Sequence, residues 1–169
     1  AEFEGTFIPQ AVNAADGRFT FDTGSGMPNA TMEIPDGIVV QNSGKSFTIG
    51  ALAGKGSLGG GCTFSNSSSV GANTWRVGSL GTDFRFTGSI TGSGTKFEKV
   101  GAGTMTVSGS NDFSGSAVIS EGTLCLNNTS AFGTGTMTVA DGATLCGKGT
   151  LKNSSVTVKS GGTLYAGNK

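Results

Sequence analysis

The sequence predicts an all-β chain whose short strands wind into a solenoid, and three observations carry that prediction. Glycine supplies 31 of 169 residues, and no segment holds apolar residues at sustained spacings of three and four, so helix is disfavoured throughout. Short alternating runs rich in Val, Thr, Phe and Ile, each bounded by Gly, Ser, Asn or Asp, recur along the chain; this is strand-and-turn patterning. The third observation is self-similarity at a period near twenty residues, the mark of stacked repeats.

Taken in order, the runs are RFTF from Arg18, GIVV from Gly37, SFTI from Ser46, FRFTG from Phe84, TMTV from Thr104, AVIS from Ala117, a second TMTV from Thr136 and SVTV from Ser155. Residues 1–30 match the repeat pattern least and are expected to form an N-terminal cap or an adjoining strand region. AVISEGTLCLN from Ala117, TVADGATLCGKGTL from Thr138 and TVKSGGTLYAGN from Thr157 align with one another. Leu124, Leu145 and Leu164 then share a column at spacings of 21 and 19 residues, followed by Cys125, Cys146 and Tyr165. Stacking such coils at the interstrand spacing of ~4.8 Å puts equivalent residues above one another. Leu124, Leu145 and Leu164 would form one interior ladder, and Ile119, Val139 and Val158 another. Roughly eight coils would give a rod near 40 Å long on that spacing. The whole chain, 1–169, reads as one β-helix domain, and its last residues, LYAGNK, stop in mid-pattern, as expected of a fragment of a larger protein.

Composition excludes several functions. Eleven basic and eleven acidic residues balance to zero, so neither nucleic acid nor an anionic membrane is an expected partner. Histidine is absent, which removes His-based catalysis, proton shuttling and His-ligated metals. The three cysteines, Cys62, Cys125 and Cys146, show no C-x-x-C spacing, and no cofactor or metal is expected. No apolar run reaches the ~20 residues of a spanning helix, and the opening AEFEGTFIPQ lacks the basic head and apolar centre of a signal peptide.

GATLCGKGT from Gly142 comes within one residue of a phosphate-binding loop, with Gly149 where Ser or Thr is needed. A phosphate loop must also open a helix, whose N-terminus supplies donors and dipole. KGTLKNSSVTV reads instead as strand, turn and strand, and the G-K-G-x-L element recurs at Gly54 with Leu58 in the matching place. The element is therefore expected to be a turn, lysine to water and leucine inward. NSGKS at Asn42 fits the loop signature less well, because Val39 stands where its first Gly is required.

The best repeat match, residues 96–128 (KFEKVGAGTMTVSGSNDFSGSAVISEGTLCLNN), resembles the autotransporter-associated β-strand repeat, also called the passenger-associated transport repeat. Lys99, Gly101, Gly103, Met105, Val107, Ser108, Gly109, Asn111, Phe113, Gly115, Gly122, Thr123 and Leu124 fall on its pattern in order. The stretches on either side resemble neighbouring coils of the same architecture, so the likeness extends over most of the chain beyond about residue 30. The resemblance implies a right-handed single-stranded parallel β-helix, non-catalytic, acting as a structural or adhesion scaffold of a larger bacterial protein. It implies an extracellular place or one on the outer-membrane surface of a Gram-negative bacterium. The implied partners are the rest of the parent chain and host or microbial glycans or surface proteins, with no nucleotide and no insertion of this segment into a membrane. Cys125 and Cys146 depart from the family, whose passengers generally avoid cysteine.

Three clusters are weighed for chemistry. In NTWRVGSLGTDFRF, alternation gives Trp75, Val77, Phe84 and Phe86 one facing and Arg76, Asp83 and Arg85 the other. Trp75, Arg76, Asp83 and Arg85 are the ligand-binding candidates, for a sugar in an accessory segment of a polysaccharide lyase or hydrolase. The plainer reading makes the aromatics core and the charges a solvated face. The carboxylates Asp16, Asp22, Glu33, Asp36, Asp83, Asp112, Glu121 and Asp141 show no calcium-loop spacing, and the last three fall at turns. Cys125 and Cys146 on adjacent coils are close enough for a disulfide, yet Tyr165 needs room in that column, which favours two small buried hydrophobes. The sequons at Asn29, Asn66, Asn127, Asn128 and Asn153 are what this Asn, Ser and Thr content produces by chance.

Overall fold

A computed structural model describes residues 3–10, 17–21, 24–42, 44–59, 73–127 and 132–167. Asp16, Asp22, Cys62, Asn66 and Asn128 lie outside the described residues. Among those described, every element is a strand and every strand pair is parallel, stacked as a β-solenoid.

Three sheets form its faces. The first has eight strands, in the order β1 (Gly5–Phe7), β3 (Met27–Ile34), β5 (Ser46–Gly54), β7 (Thr74–Val77), β10 (Lys96–Lys99), β12 (Ala117–Ile119), β14 (Thr136–Val139) and β16 (Ser155–Val158). The second has five: β8 (Phe84–Phe86), β11 (Thr104–Val107), β13 (Thr123–Leu126), β15 (Thr144–Gly147) and β17 (Thr163–Ala166). The third has four: β2 (Arg18–Phe21), β4 (Val39–Asn42), β6 (Ser57–Leu58) and β9 (Ser89–Ile90). β1 and β2 stack in parallel on β3 and β4, so the described part of residues 1–30 adjoins the coils as further strands.

β3 and β5 are long because each turns a corner within one strand, with a register shift between Met27 and Thr31. Beyond β5 the corner opens into a turn around Gly78–Gly81, and the two halves separate into β7 and β8. The Thr87 N–H donates to the Gly54 carbonyl at 3.2 Å, seating β8 against the second half of β5. By that register one interior ladder passes through the length of the molecule: Phe7, Met32, Leu52, Phe84, Met105, Leu124, Leu145 and Leu164. A second runs Phe47, Trp75, Phe97, Ala117, Met137 and Val156, and a third Ile49, Val77, Lys99, Ile119, Val139 and Val158. The third face contributes Phe19, Val40, Leu58 and Ile90, continued by a bridge between Asn111 and Phe132.

This alternation is why so little apolar content suffices. Every second residue of each strand enters the interior, where a fully buried Leu, Ile or Phe contributes ~1.5–3 kcal/mol. Aromatic rings pack in two groups. Phe7, Phe19, Phe21, Phe47 and Trp75 form a chain of ring contacts with centroids 4.3–5.8 Å apart. Phe97, Phe113 and Phe132 pack mutually at 5.1–6.4 Å.

The last coil departs from the pattern. Val156, Val158 and Leu164 hold ladder positions yet are 36%, 40% and 57% exposed, because no rung covers them. Leu151, matched in sequence to the buried Leu58, is 37% exposed for the same reason. Residues 148–154, expected to include a strand, run without one into β16.

Candidate functional site

The two G-K-G elements adopt one local structure. At the first, the Lys55 and Gly56 N–H groups both donate to the Ile34 carbonyl at 3.0 Å. At the second, Lys148 and Gly149 both donate to the Leu126 carbonyl, at 2.9 and 3.0 Å. Gly54 and Gly147 take φ of 98° and 129°, and a Cβ at either would collide with the carbonyl of the coil beneath, Ile34 or Leu126. These amides are spent on the neighbouring coil and no helix follows, so the element fastens coils together and offers nothing to phosphate. Both lysines point to solvent.

The ligand-binding candidates do not converge. Trp75 is wholly buried in the second ladder and its Nε1–H donates to the Gly59 carbonyl at 3.2 Å; the ring faces the core and is closed to a sugar. Arg76 lies on the outer side of the first sheet and pairs with Glu98 at 2.9 Å. Ser120 Oγ–H donates to the other Glu98 oxygen at 2.7 Å, so three coils are linked through one carboxylate. Arg85 lies around the corner on the second sheet and donates to Ser108 Oγ at 3.5 Å, while Asp83 accepts the Thr104 N–H at 2.7 Å. Each charge thus bonds along the rod to an adjacent coil.

The most distinctive polar centre lies at a motif position, Lys99, outside the ligand-binding candidates. Lys99 occupies an interior position between Val77 and Ile119 and is fully buried. Its side chain runs to the corner between the first two sheets, where Nζ donates to the carbonyls of Val100 at 2.9 Å, Gly101 at 2.7 Å and Glu121 at 3.4 Å. Three donors meet three acceptors, two on its own coil and one on the next. Burial pulls its pKa from 10.5 down to about 8, against the opposing attraction of Glu121 and Asp83. The alternation of KFEK carried the signal: Lys96 and Glu98 face out, so Phe97 and Lys99 face in. A saturated ammonium has no free donor for a substrate, and the centre reads as a structural clasp.

Asn111, a motif position, ties the third face in the same way. Its Oδ1 accepts the Ile90 N–H at 3.0 Å and its Nδ2 donates to the Gly109 carbonyl at 2.8 Å. Cys125 and Cys146 are directly registered, with Cα atoms 4.5 Å apart, and form a disulfide. This corrects the expectation of two free buried side chains. Tyr165 does share their column, but it is 49% exposed, so it does not compete for their space.

The remaining concavities are shallow. One of about 380 Å³ is lined by residues that include Glu33, Asp36, Lys55 and Arg85. Another of about 260 Å³ lies over the Lys99 corner beside Arg76 and Glu121. Among the described residues no three His, Cys, Asp or Glu side chains are grouped to hold a metal, and Asp112, Glu121 and Asp141 are exposed outside the strands. No helix among them is long and apolar enough to cross a membrane.

Residues 97–125 match the family model of the passenger-associated-transport-repeat. They span β10 to β13, with the Lys99 clasp, Asn111 and the first cysteine of the disulfide. The match is to a segment of the autotransporter-passenger type, which goes with a secreted or surface location in bacteria. No curated protein and no solved structure matches the chain.

Proposed function

We propose that this chain is a non-catalytic spacer and adhesion scaffold within a passenger of a Gram-negative bacterium, displayed extracellularly or on the outer-membrane surface. The observation that carries the reading is the ladder from Phe7 to Leu164, one side chain per coil, with fasteners at the G-K-G elements, Lys99 and Asn111. Such a rod resists bending, because bending must open hydrogen bonds and part packed side chains on one face together. At ~4.8 Å per step its eight-stranded sheet spans about 35 Å, enough to hold a neighbouring domain away from a surface. The partners on this reading are the rest of a parent chain and glycans or proteins of host or microbial surfaces, met by the outward columns of Thr, Ser, Arg and Glu.

Small-angle scattering tests the mechanical part. A rod near that length with a constant cross-section is the expected result, and a flexible or globular particle overturns it. The adhesion part is tested by displaying the chain on a non-adherent bacterium. Retention on host cells or on a glycan surface is expected, and retention no better than that of the bare bacterium removes the adhesive role.

A further inference from the structure

On the flank of the solenoid, where the second sheet turns toward the third, a groove of about 380 Å³ crosses three successive coils. The strands that carry it lie within the stack: β3 sits between β1 and β5, and β8 is followed by β11. Register explains why the groove exists. Glu33 pairs with Ala53, and the bond from the Thr87 N–H to the Gly54 carbonyl sets Arg85 on the next step of the same outward column. A single methyl group therefore stands between a carboxylate and a guanidinium two steps apart, ~10 Å at the backbone. Gly54, next to Ala53, adds no side chain to fill the space.

Four charges of two signs line the groove. Glu33 and Asp36 belong to one coil, Lys55 to the next and Arg85 to the one after. All four are exposed. Among the described residues no ion pair joins any two of them, whereas Arg76 and Glu98 close to 2.9 Å on the neighbouring face. The backbone beneath is already spent. The Gly54 carbonyl accepts both the N–H and the Oγ–H of Thr87, at 3.2 and 2.9 Å, and the Lys55 and Gly56 N–H groups donate to Ile34. Recognition in this groove is left to the charged side chains, with acid on one wall and base on the other.

We propose that this groove binds a compact zwitterionic group, an ammonium joined by a short carbon link to a carboxylate or phosphate, borne as a substituent on a surface glycan. The ammonium lies against Glu33 and Asp36, and the anionic oxygens lie against Lys55 and Arg85, so that each contact is charge-assisted. The link passes over Ala53 and Gly54, where larger side chains would exclude it. Other ligand classes fit less well. A simple anion meets two carboxylates, and a simple cation meets a lysine and an arginine. A neutral sugar finds no aromatic ring among the lining residues to stack on. The glycan source rests on the surface-contact part of the proposed function. The group itself is read on the purified chain, so its failure and a failure of adhesion on cells are separate results.

NMR titration of the purified chain with O-phosphoethanolamine tests the site, with ethanolamine and inorganic phosphate as single-charge controls. Saturable shifts confined to residues 33–36, 53–55 and 85–87 are expected, with a Kd of about 1 mM and binding of either control about tenfold weaker. Glu33→Gln and Arg85→Gln each remove one charge at an exposed position and should weaken binding about tenfold. Ala53→Leu keeps all four charges but fills the space between Glu33 and Arg85, and should abolish binding. Lys96→Gln, an exposed cation away from the groove, should leave it unchanged. Circular dichroism confirms that each variant is folded, and the two Gln variants carry the test if Ala53→Leu is not. Phosphoethanolamine attached to an immobilised saccharide should retain the wild-type chain and not the Arg85→Gln variant. No saturation up to about 10 mM overturns the proposal, as does equal binding of phosphate alone, which would mean a simple anion site. A folded Ala53→Leu variant that binds normally also overturns it, because the charges would then act without the groove. Binding of the free group without retention on the saccharide overturns the glycan source.

Discussion

Lys99 gives the sharpest prediction, because a charge inside a hydrophobic ladder must register in the pH dependence of stability. Folding moves its pKa from 10.5 to about 8. Between those values the unfolded chain holds a proton that the folded chain has released, so folding becomes more favourable as pH rises. The depressed value therefore gives a relative gain that is complete above 10.5 and lost as pH falls through 8. At ~1.4 kcal/mol per pKa unit the ceiling is about 3.4 kcal/mol. Three carbonyl dipoles and an effective interior dielectric well above that of a dry medium reduce the expected effect to about 1–2 kcal/mol. Deprotonation leaves two N–H groups, and the contact to give way is the 3.4 Å bond to Glu121, which keeps the clasp on its own coil. Lys99→Met removes the titration while keeping a long unbranched side chain. Urea unfolding of both chains at half-unit steps from pH 7.5 to 10.5 isolates the lysine, because the two chains share every other group. The stability of the wild type relative to Lys99→Met should climb over that range. A flat or falling difference would show that the ammonium is not desolvated and that the ladder position is misread.

The other predictions concern the fasteners. Gly147→Ala must bring a Cβ against the Leu126 carbonyl at φ 129°, so a loss of about 3 kcal/mol or more in chemical denaturation is expected; a loss below about 1 kcal/mol would mean the coil spacing is looser than described. Reducing the Cys125–Cys146 disulfide, or replacing both residues by Ser, should lower stability by about 3 kcal/mol, the loop-closure value for a separation of 21 residues. Free-thiol titration of the native, non-reduced chain checks that the bond is present, and two reactive thiols on unfolding, beyond Cys62, would contradict it. Trp75→Ala should cost about 3–5 kcal/mol, as a buried aromatic does; calorimetry that finds stability unchanged would return the ring to the surface and reopen it as a ligand contact.

Where the sequence was legible, the reason is that one period sets both local and long-range structure. GTLCL and ATLCG each announce a strand by alternation, and their spacing also says which residue stacks on which. Leu124 over Leu145 is therefore a long-range contact that a local pattern reveals. The G-K-G elements were legible for the same reason: two copies of one motif with no helix after either must share a job, and both now donate two amides to the coil beneath. What stayed hidden depends on events between coils that repeats do not encode. The Arg76–Glu98–Ser120 link joins residues 22 apart whose side chains have no local relation. The bent corners of β3 and β5 place two faces in one strand, a geometry that alternation alone does not distinguish from a flat strand.

Lys99 shows where residue-type reasoning misleads. Charge argues for the surface, since a lone buried ammonium is costly, whereas the alternation of KFEK puts Lys99 inside with Phe97. The two conflict only if the side chain must end where its backbone points. A lysine is long enough to leave the interior at a corner and lay its ammonium on carbonyls that have no strand partner there. Such carbonyls arise wherever a parallel sheet turns, because turning breaks the ladder of backbone bonds. An interior lysine directly before a V-G-x-G turn is therefore a way of satisfying a corner, and Lys99→Met should loosen the corner at Gly101 and Glu121 before it loosens β10 itself. Amide exchange resolves the two: faster exchange confined to residues around 100–103 and 120–122 supports the clasp, and uniform acceleration across β10 and β12 would mean that the side chain acts only as bulk in the core.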